Sequence, residues 1–224
     1  MKKLSFSEFL KLVAYHFAVN FLWGALLTIV IPSQVRSIVG QEGKEAALSS
    51  VLAMGAVIAM ITQPIFGALS DRCTHRLGRR RPYMIIGAIL SLIPLFIMGS
   101  STTLITFYVG FLLLQFFVNV STSSYQGLIP DVVPEDQRNT SASFLGSAMF
   151  LGTIVAVILA GPLADRQMYS LIYGIAAIII IVFMLITATG VKEEQYKAKE
   201  EVDLKKFFRG FYVHPKEYPD FIWF

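Results

Sequence analysis

Formal charge is missing from long, unbroken stretches of this 224-residue chain, and their spacing decides what it can fold into. Between Lys11 and Arg36 lie 24 residues without Asp, Glu, Lys or Arg, and between Glu45 and Asp71 lie 25. Arg81 to Asp131 encloses 49, Arg138 to Asp165 encloses 26, and Arg166 to Lys192 encloses 25. An α-helix rises about 1.5 Å per residue, so roughly 20 apolar residues cross the hydrocarbon core of a bilayer. The longest stretch therefore holds two crossings, folded at Gly99-Ser100-Ser101-Thr102-Thr103. Six transmembrane helices are predicted, near residues 12–35, 46–70, 83–100, 103–126, 140–163 and 168–190. A mean hydropathy of +0.63 sets the chain outside the soluble globular range. Runs such as Ile178-Ile179-Ile180-Ile181-Val182-Phe183 do not alternate, as the strands of a barrel must. Lys2 and Lys3 precede an apolar run too long for a signal peptide, so that run is read as a retained first span.

Sixteen of the 19 Lys and Arg residues fall on one face of this arrangement: the N-terminus, the second loop, the fourth loop and the segment after span six. Only Arg36, Lys44 and Arg166 fall on the other. By the positive-inside bias both ends are expected in the cytoplasm, with the protein multi-pass in a plasma or inner membrane. The formal +4 follows from this bias, because the basic residues are juxtamembrane, and nucleic acid is not an expected partner. One cysteine, Cys73, excludes a disulfide framework or a cysteine-rich metal site. No cofactor is expected.

Three units are read along the chain: a six-helix bundle over 1–190, a charged segment over 191–218, and an apolar end over 219–224 that looks like the entrance of a seventh span. Within the charged segment Leu204, Phe207, Phe208 and Phe211 keep helical spacing beside Lys205, Lys206 and Arg209. This suits either an amphipathic helix on the inner leaflet or a solvated linker. A faint repeat joins Gly67-Ala68-Leu69-Ser70-Asp71-Arg72 at the end of span two to Gly161-Pro162-Leu163-Ala164-Asp165-Arg166 at the end of span five. Both read G-x-L-x-D-R on opposite faces, as two inverted three-helix repeats require.

The loop after span two is the most specific feature. Gly67 lies one turn before Asp71-Arg72, and Cys73-Thr74-His75-Arg76-Leu77-Gly78-Arg79-Arg80-Arg81-Pro82 follows. This pattern resembles the loop signature of the major facilitator superfamily of secondary transporters. Its extended form is similar to that of sucrose/proton symporters and their bacterial relatives, near the glycoside–pentoside–hexuronide cation symporters. The exit of span four, Tyr125 to Arg138, is similar to the same relatives. The resemblance implies an all-α membrane fold whose first half is this six-helix bundle, partnered by a second six-helix half. It also implies alternating-access transport of a sugar or glycoside.

On physical grounds Asp71, at a helix C-terminus, needs cations beside it. Arg72, Arg79 and Arg80 are close enough in sequence to supply them, forming a latch with Gly67 and Gly78 that breaks when the conformation changes. Topological anchoring alone is the competing account. Asp131, Glu135, Asp136 and Arg138 are either the acidic counterpart on the same face or solvated loop charges.

Inside the spans the polar residues form stripes. His16, Asn20 and Trp23 are spaced i, i+4, i+7 in span one, and Gln115, Asn119, Thr122 and Gln126 are spaced i, i+4, i+7, i+11 in span four. Gln63 stands in span two. Amides and imidazole in lipid are costly, so these stripes face a cavity or another helix. His16, Asn20, Trp23, Gln63, Gln115, Asn119 and Gln126 are the candidate substrate-binding residues, since amides both donate to and accept from hydroxyls. Trp23, with Tyr15 or Tyr108, would offer an aromatic face. Helix–helix adhesion is the alternative. The sucrose relatives carry an Asp in span four and an Arg near its cytoplasmic end, and these align with Gln115 and Gln126 here. That leaves His16 as the one side chain of the spans that titrates near neutrality. Proton or sodium coupling through His16 or through a second half, and uncoupled facilitation, all stay open. A membrane enzyme is not expected, since neither the D-G-x-x-A-R signature of a lipid-head-group transferase nor the G-x-S-x-G of a serine protease occurs. A non-transporting sensor or scaffold, or a half-size protein acting as a dimer, is the alternative function.

Overall fold

Ser5 starts the first helix by a reciprocal cap. Its hydroxyl accepts the Glu8 amide at 3.4 Å, and the Glu8 carboxylate accepts the Ser5 amide at 2.7 Å. The structure, a computed structural model, describes residues 3–191 and 193. Helix α1 (Phe6–Ala25) passes through one π-helical turn (Leu26–Val30) into α2 (Ile31–Asp71). The wide turn gives way just before Pro32, which has no amide to donate to the carbonyl four residues back. The remaining helices are α3 (Arg81–Leu90), α4 (Leu92–Gly99), α5 (Leu104–Val132), α6 (Arg138–Asp165) and α7 (Tyr169–Gly190).

Phe6–Asp71 forms a 66-residue stretch, one of five among the described residues that are long and apolar enough to cross a membrane. At about 1.5 Å per residue it would be roughly 100 Å long if straight, three times a bilayer core. It is not straight. At Gly40 φ is +79°, a conformation that glycine reaches without steric cost, and the chain turns back there. Hydrogen bonds fix the reversal. Leu4, near the start, donates to the Gln137 side chain at 2.7 Å, and Gln34 donates to Met98 O at 2.8 Å at the other end of the bundle. Tyr108 then donates to Ala47 O at 2.8 Å, and Asp71 ends beside Arg80 on the starting side. The stretch thus makes two passages, and six helical passages result among the described residues.

Two local details differ from the expectation. The first turn, expected as a loop over 36–45, is helical except at Gly40. The third passage is broken at Ser91 into α3 and α4, where Ser91 Oγ donates to Ala88 O at 2.7 Å and Pro94 withholds an amide three residues on.

The packing supports the inverted repeat. If passages one, two and three correspond to four, five and six, exchanging them turns the α1–α6 contact into the α5–α2 contact. These are the two most extensive seams. The same exchange turns α1–α7 into α5 against α3 and α4, the next most extensive. A core of Tyr15, Ala18, Leu22, Leu114, Ala176 and Ile180 fills the middle. Its polar members are paired: Tyr15 Oη with Ser121 Oγ at 2.6 Å, Tyr125 Oη donating to Leu12 O at 3.0 Å, and Tyr173 Oη donating to Gln34 Oε1 at 2.8 Å. The expectations for 191–218 and 219–224, including the amphipathic helix on Leu204, Phe207, Phe208 and Phe211, lie outside the described residues apart from Val191 and Glu193.

Candidate functional site

Three amides from two helices meet. Gln63 Nε2 on α2 donates to Asn119 Oδ1 on α5 at 2.7 Å. Asn119 Nδ2 donates in turn to Gln115 O at 2.6 Å and to Gln115 Oε1 at 3.0 Å. Asn119 is buried, Gln115 half-buried and Gln63 exposed, so a buried amide links two more accessible ones. Gly55 on α2 lets α5 come close, since a Cβ there would meet Phe111 at 2.5 Å and the Gln115 amide at 3.1 Å.

The α1 stripe borders this cluster through aromatic rings. Trp23 meets Phe111 edge-on with centroids 6.5 Å apart, and His16 stacks on Tyr125 at 6.1 Å. Asn20 turns its amide back to His16 O at 2.8 Å. Gln126 is exposed two turns beyond Asn119, nearer the arginine-rich loop. Tyr15 is fully buried with its hydroxyl bonded to Ser121, whereas Tyr108 is half-buried and its hydroxyl donates to Ala47 O. Phe111 lies fully buried one turn before Gln115, and Trp23 packs against it half-buried.

Further along the same two helices, at the ends of α2 and α5, the loop charges converge. Arg80 is only 6% exposed, so its charge needs partners, and it has them. It pairs with Asp71, donates from Nε to Asp131 Oδ2 at 3.1 Å, and donates from Nη1 to Ser70 Oγ at 2.7 Å and Gly67 O at 3.2 Å. Arg79 grips the same Asp131 carboxylate in a two-pronged contact, its Nε at 3.1 Å from Oδ2. Burial would lower the Arg79 pKa, but the hydrogen bond and charge of Asp131, with Asp71 and Glu193 behind it, raise it instead. Asp71, Arg79, Arg80 and Asp131 thus form one cluster joining the end of α2, the loop and the end of α5. Arg72 occupies the C-cap of α2. Arg138 lies outside the cluster, pairing with Glu135 at 3.3 Å on the surface.

One member escaped sequence reasoning. Glu193 Oε1 accepts the backbone amides of both Arg79 and Arg80 at 2.9 Å, which ties the segment after α7 to the entry of α3. A carboxylate is well placed there because the helix N-terminus carries partial positive charge. Gly78 makes the approach possible: its φ is +107°, and a Cβ would lie 2.2 Å from Glu193 Oε2. An acidic pair soon after the last apolar run, facing a loop of five arginines, was the available signal.

The chain is 28% identical over 170 residues to the general alpha-glucoside permease of Schizosaccharomyces pombe, covering 65% of this chain and 31% of that one. It is 27% identical over 160 residues to the sucrose transport protein SUC3 of Arabidopsis thaliana, covering 61% and 26%. With the sucrose transport protein SUT1 of Oryza sativa subsp. japonica the identity is 28% over 160 residues, covering 61% and 29%. The chain therefore spans about a third or less of the length of these relatives. The family model of the Major Facilitator Superfamily matches residues 12–221, and with its apolar helical passages this chain belongs to that superfamily of membrane transporters, which are not enzymes.

Proposed function

We propose that this chain is the first half of a cation-coupled permease that moves a sugar or glycoside by alternating access. The carrying observation is the Gln63–Asn119–Gln115 amide chain, in a bundle whose relatives are named as alpha-glucoside and sucrose transporters. Uncharged amides match a hydroxyl-rich solute because each can donate and accept, and the half-buried Trp23, backed edge-on by the buried Phe111, is the ring placed to meet the apolar face of a sugar. The Gln63–Asn119 bond is also what helix–helix adhesion would use, and the two roles are compatible. Interhelical side-chain hydrogen bonds in membranes average only about 0.6 kcal/mol, so a sugar hydroxyl can replace one at little cost. The protein would sit in a plasma or inner membrane, with the arginine-rich loop cytoplasmic by its charge bias. The Asp71–Arg80–Asp131 cluster would act as the latch of one conformation, and a second six-helix half would complete the cavity.

Asn119→Ala in the complete protein tests the site. Uptake of radiolabelled sucrose or maltose should be lost while the amount inserted in the membrane is unchanged, and undiminished uptake of both overturns the assignment. Coupling is tested separately. Uptake that collapses with a protonophore or on sodium removal supports it, and indifference to both overturns it.

A further inference from the structure

A groove of about 580 Å³ opens between α1, α6 and α7, well away from the amide cluster. Its residues on α1, Leu10, Ala14 and Phe17, lie roughly 120° around the helix from the His16–Asn20–Trp23 stripe, at 3.6 residues per turn. The floor is apolar. Phe17 and Phe183 stack with centroids 5.0 Å apart, and Leu151 and Ile186 complete the walls. Both of these aliphatic side chains are exposed to the surroundings.

The polarity of the groove has a direction. Its polar members, Ser7, Lys11, Ser143 and Ser147, all lie in the first three turns of α1 and α6. Both helices start on the side of the arginine-rich loop: α6 begins soon after Asp131, which pairs with Arg79 and Arg80, and Leu4 before α1 bonds to Gln137 before α6 at 2.7 and 3.0 Å. Phe17 and Leu151 lie further along, towards the middle of the bundle. A cavity with hydroxyls and one cation at the membrane surface and hydrocarbon walls towards the midplane has the polarity of a phospholipid in that leaflet.

Lys11 is fixed in place. The Lys11 stem lies across Gly190, where a Cβ would come within 2.7 Å of Lys11 Cδ. The backbone of Lys11 is pinned as well, its carbonyl accepting from Thr187 Oγ1 at 2.8 Å. Lys11 is exposed and forms no ion pair among the described residues. We infer that the α1–α6–α7 groove binds one anionic glycerophospholipid of the leaflet beside the arginine-rich loop, its phosphate at Lys11 and an acyl chain along Phe17, Phe183 and Leu151. A volume of this size is that of a ligand site rather than a packing defect. Attraction of the phosphate to a lysine at the lipid surface discriminates anionic from zwitterionic headgroups.

The test uses the complete protein, stripped of lipid in detergent and titrated with palmitoyl-oleoyl phosphatidylglycerol or the matched phosphatidylcholine. Native mass spectrometry counts the retained lipid. The wild type should hold one phosphatidylglycerol in preference to phosphatidylcholine. Lys11→Gln should weaken phosphatidylglycerol at least fivefold, down to the level of phosphatidylcholine, and Lys11→Arg should restore the preference. Leu151→Trp, at an exposed position that fills the groove, should weaken both lipids. Equal retention of the two lipids by the wild type, or undiminished phosphatidylglycerol in Lys11→Gln, overturns the inference. A photoreactive group at position 151 that links to protein instead of lipid also overturns it.

Discussion

The Arg80 guanidinium lies directly on Gly127, so that a Cβ at that position of α5 would come within 2.4 Å of Arg80 Cζ. The arginine reaches Asp71 and Asp131 together only because α5 is bare at this point. Gly127→Leu should therefore push the guanidinium away from both carboxylates and leave buried charge incompletely paired. Removing one partner of a buried pair costs about 3–5 kcal/mol, and the loss here should approach the lower figure because Asp71 is half-exposed. Thermal unfolding in detergent checks this, with transport by the complete protein expected to fall at least tenfold. Arg80→Lys should rescue neither, since an ammonium lacks the fork that serves Asp71, Asp131 and Ser70 at once.

Glu193→Ala should loosen the entry of α3. Two backbone amides lose their acceptor, an effect comparable to deleting a helix cap, at about 1 kcal/mol. Glu193→Gln keeps an acceptor oxygen and loses only the charge, so it should recover more than half of the loss. Hydrogen exchange at the amides of Arg79 and Arg80 is the direct measure. Both should exchange faster in the alanine variant, while amides inside α5 stay unchanged.

The pair of Lys3 and Asp136, 2.8 Å apart at the surface, links the N-terminus to the turn between α5 and α6. The hydrogen bond from Lys3 lowers the Asp136 pKa from its usual 3.8, so its contribution is present above that value and lost as pH falls through the lowered one. The hydrogen bond to Asp136 raises the Lys3 pKa from 10.5, so its contribution is present below that value and lost as pH rises through the raised one. The difference between wild type and Lys3→Ala should thus be flat from about pH 5 to 9 and vanish in acid. Both groups are fully exposed, so the effect should be small and erased by salt. A thermal-shift series across pH at low and high ionic strength reads it out.

Six passages and the charged loop were legible because charge in a bilayer is expensive enough to dominate every local preference. Gaps of 24 to 26 residues, with one double gap, leave few alternatives. What the sequence hid is what depends on a second helix. The spacing of Gln115 and Asn119 marks a stripe, but nothing in it says that Gln63 on another helix completes the chain of amides. Gly127 reads as one more small residue in an apolar span until Arg80 is seen resting on it. The continuity of helix around Gly40 was hidden for a different reason. Arg36, Glu42, Lys44 and Glu45 look like a loop by polarity, yet charge at a membrane surface is equally compatible with helix.

The glycines between helices supply the sharpest contrast between equal substitutions. At Gly87 on α3 an added Cβ would stand 2.7 Å from both Phe117 O and Ser121 N of α5, and at Gly152 on α6 it would stand 2.6 Å from Phe17 O of α1. Backbone atoms cannot rotate aside as a side chain can, so the helices themselves must separate. At Gly146 and Gly161, on the same α6, a Cβ would meet nothing within 4 Å. Gly87→Ala and Gly152→Ala should each destabilise by about 1–3 kcal/mol, the usual cost of overpacking. Gly146→Ala and Gly161→Ala should be neutral or slightly stabilising in the isolated bundle, because alanine favours helix over glycine by about 1 kcal/mol. Denaturation midpoints of the four variants check the order. If Gly152→Ala proved as harmless as Gly146→Ala, the close α1–α6 seam would be refuted, and with it the exchange that relates this seam to α5–α2.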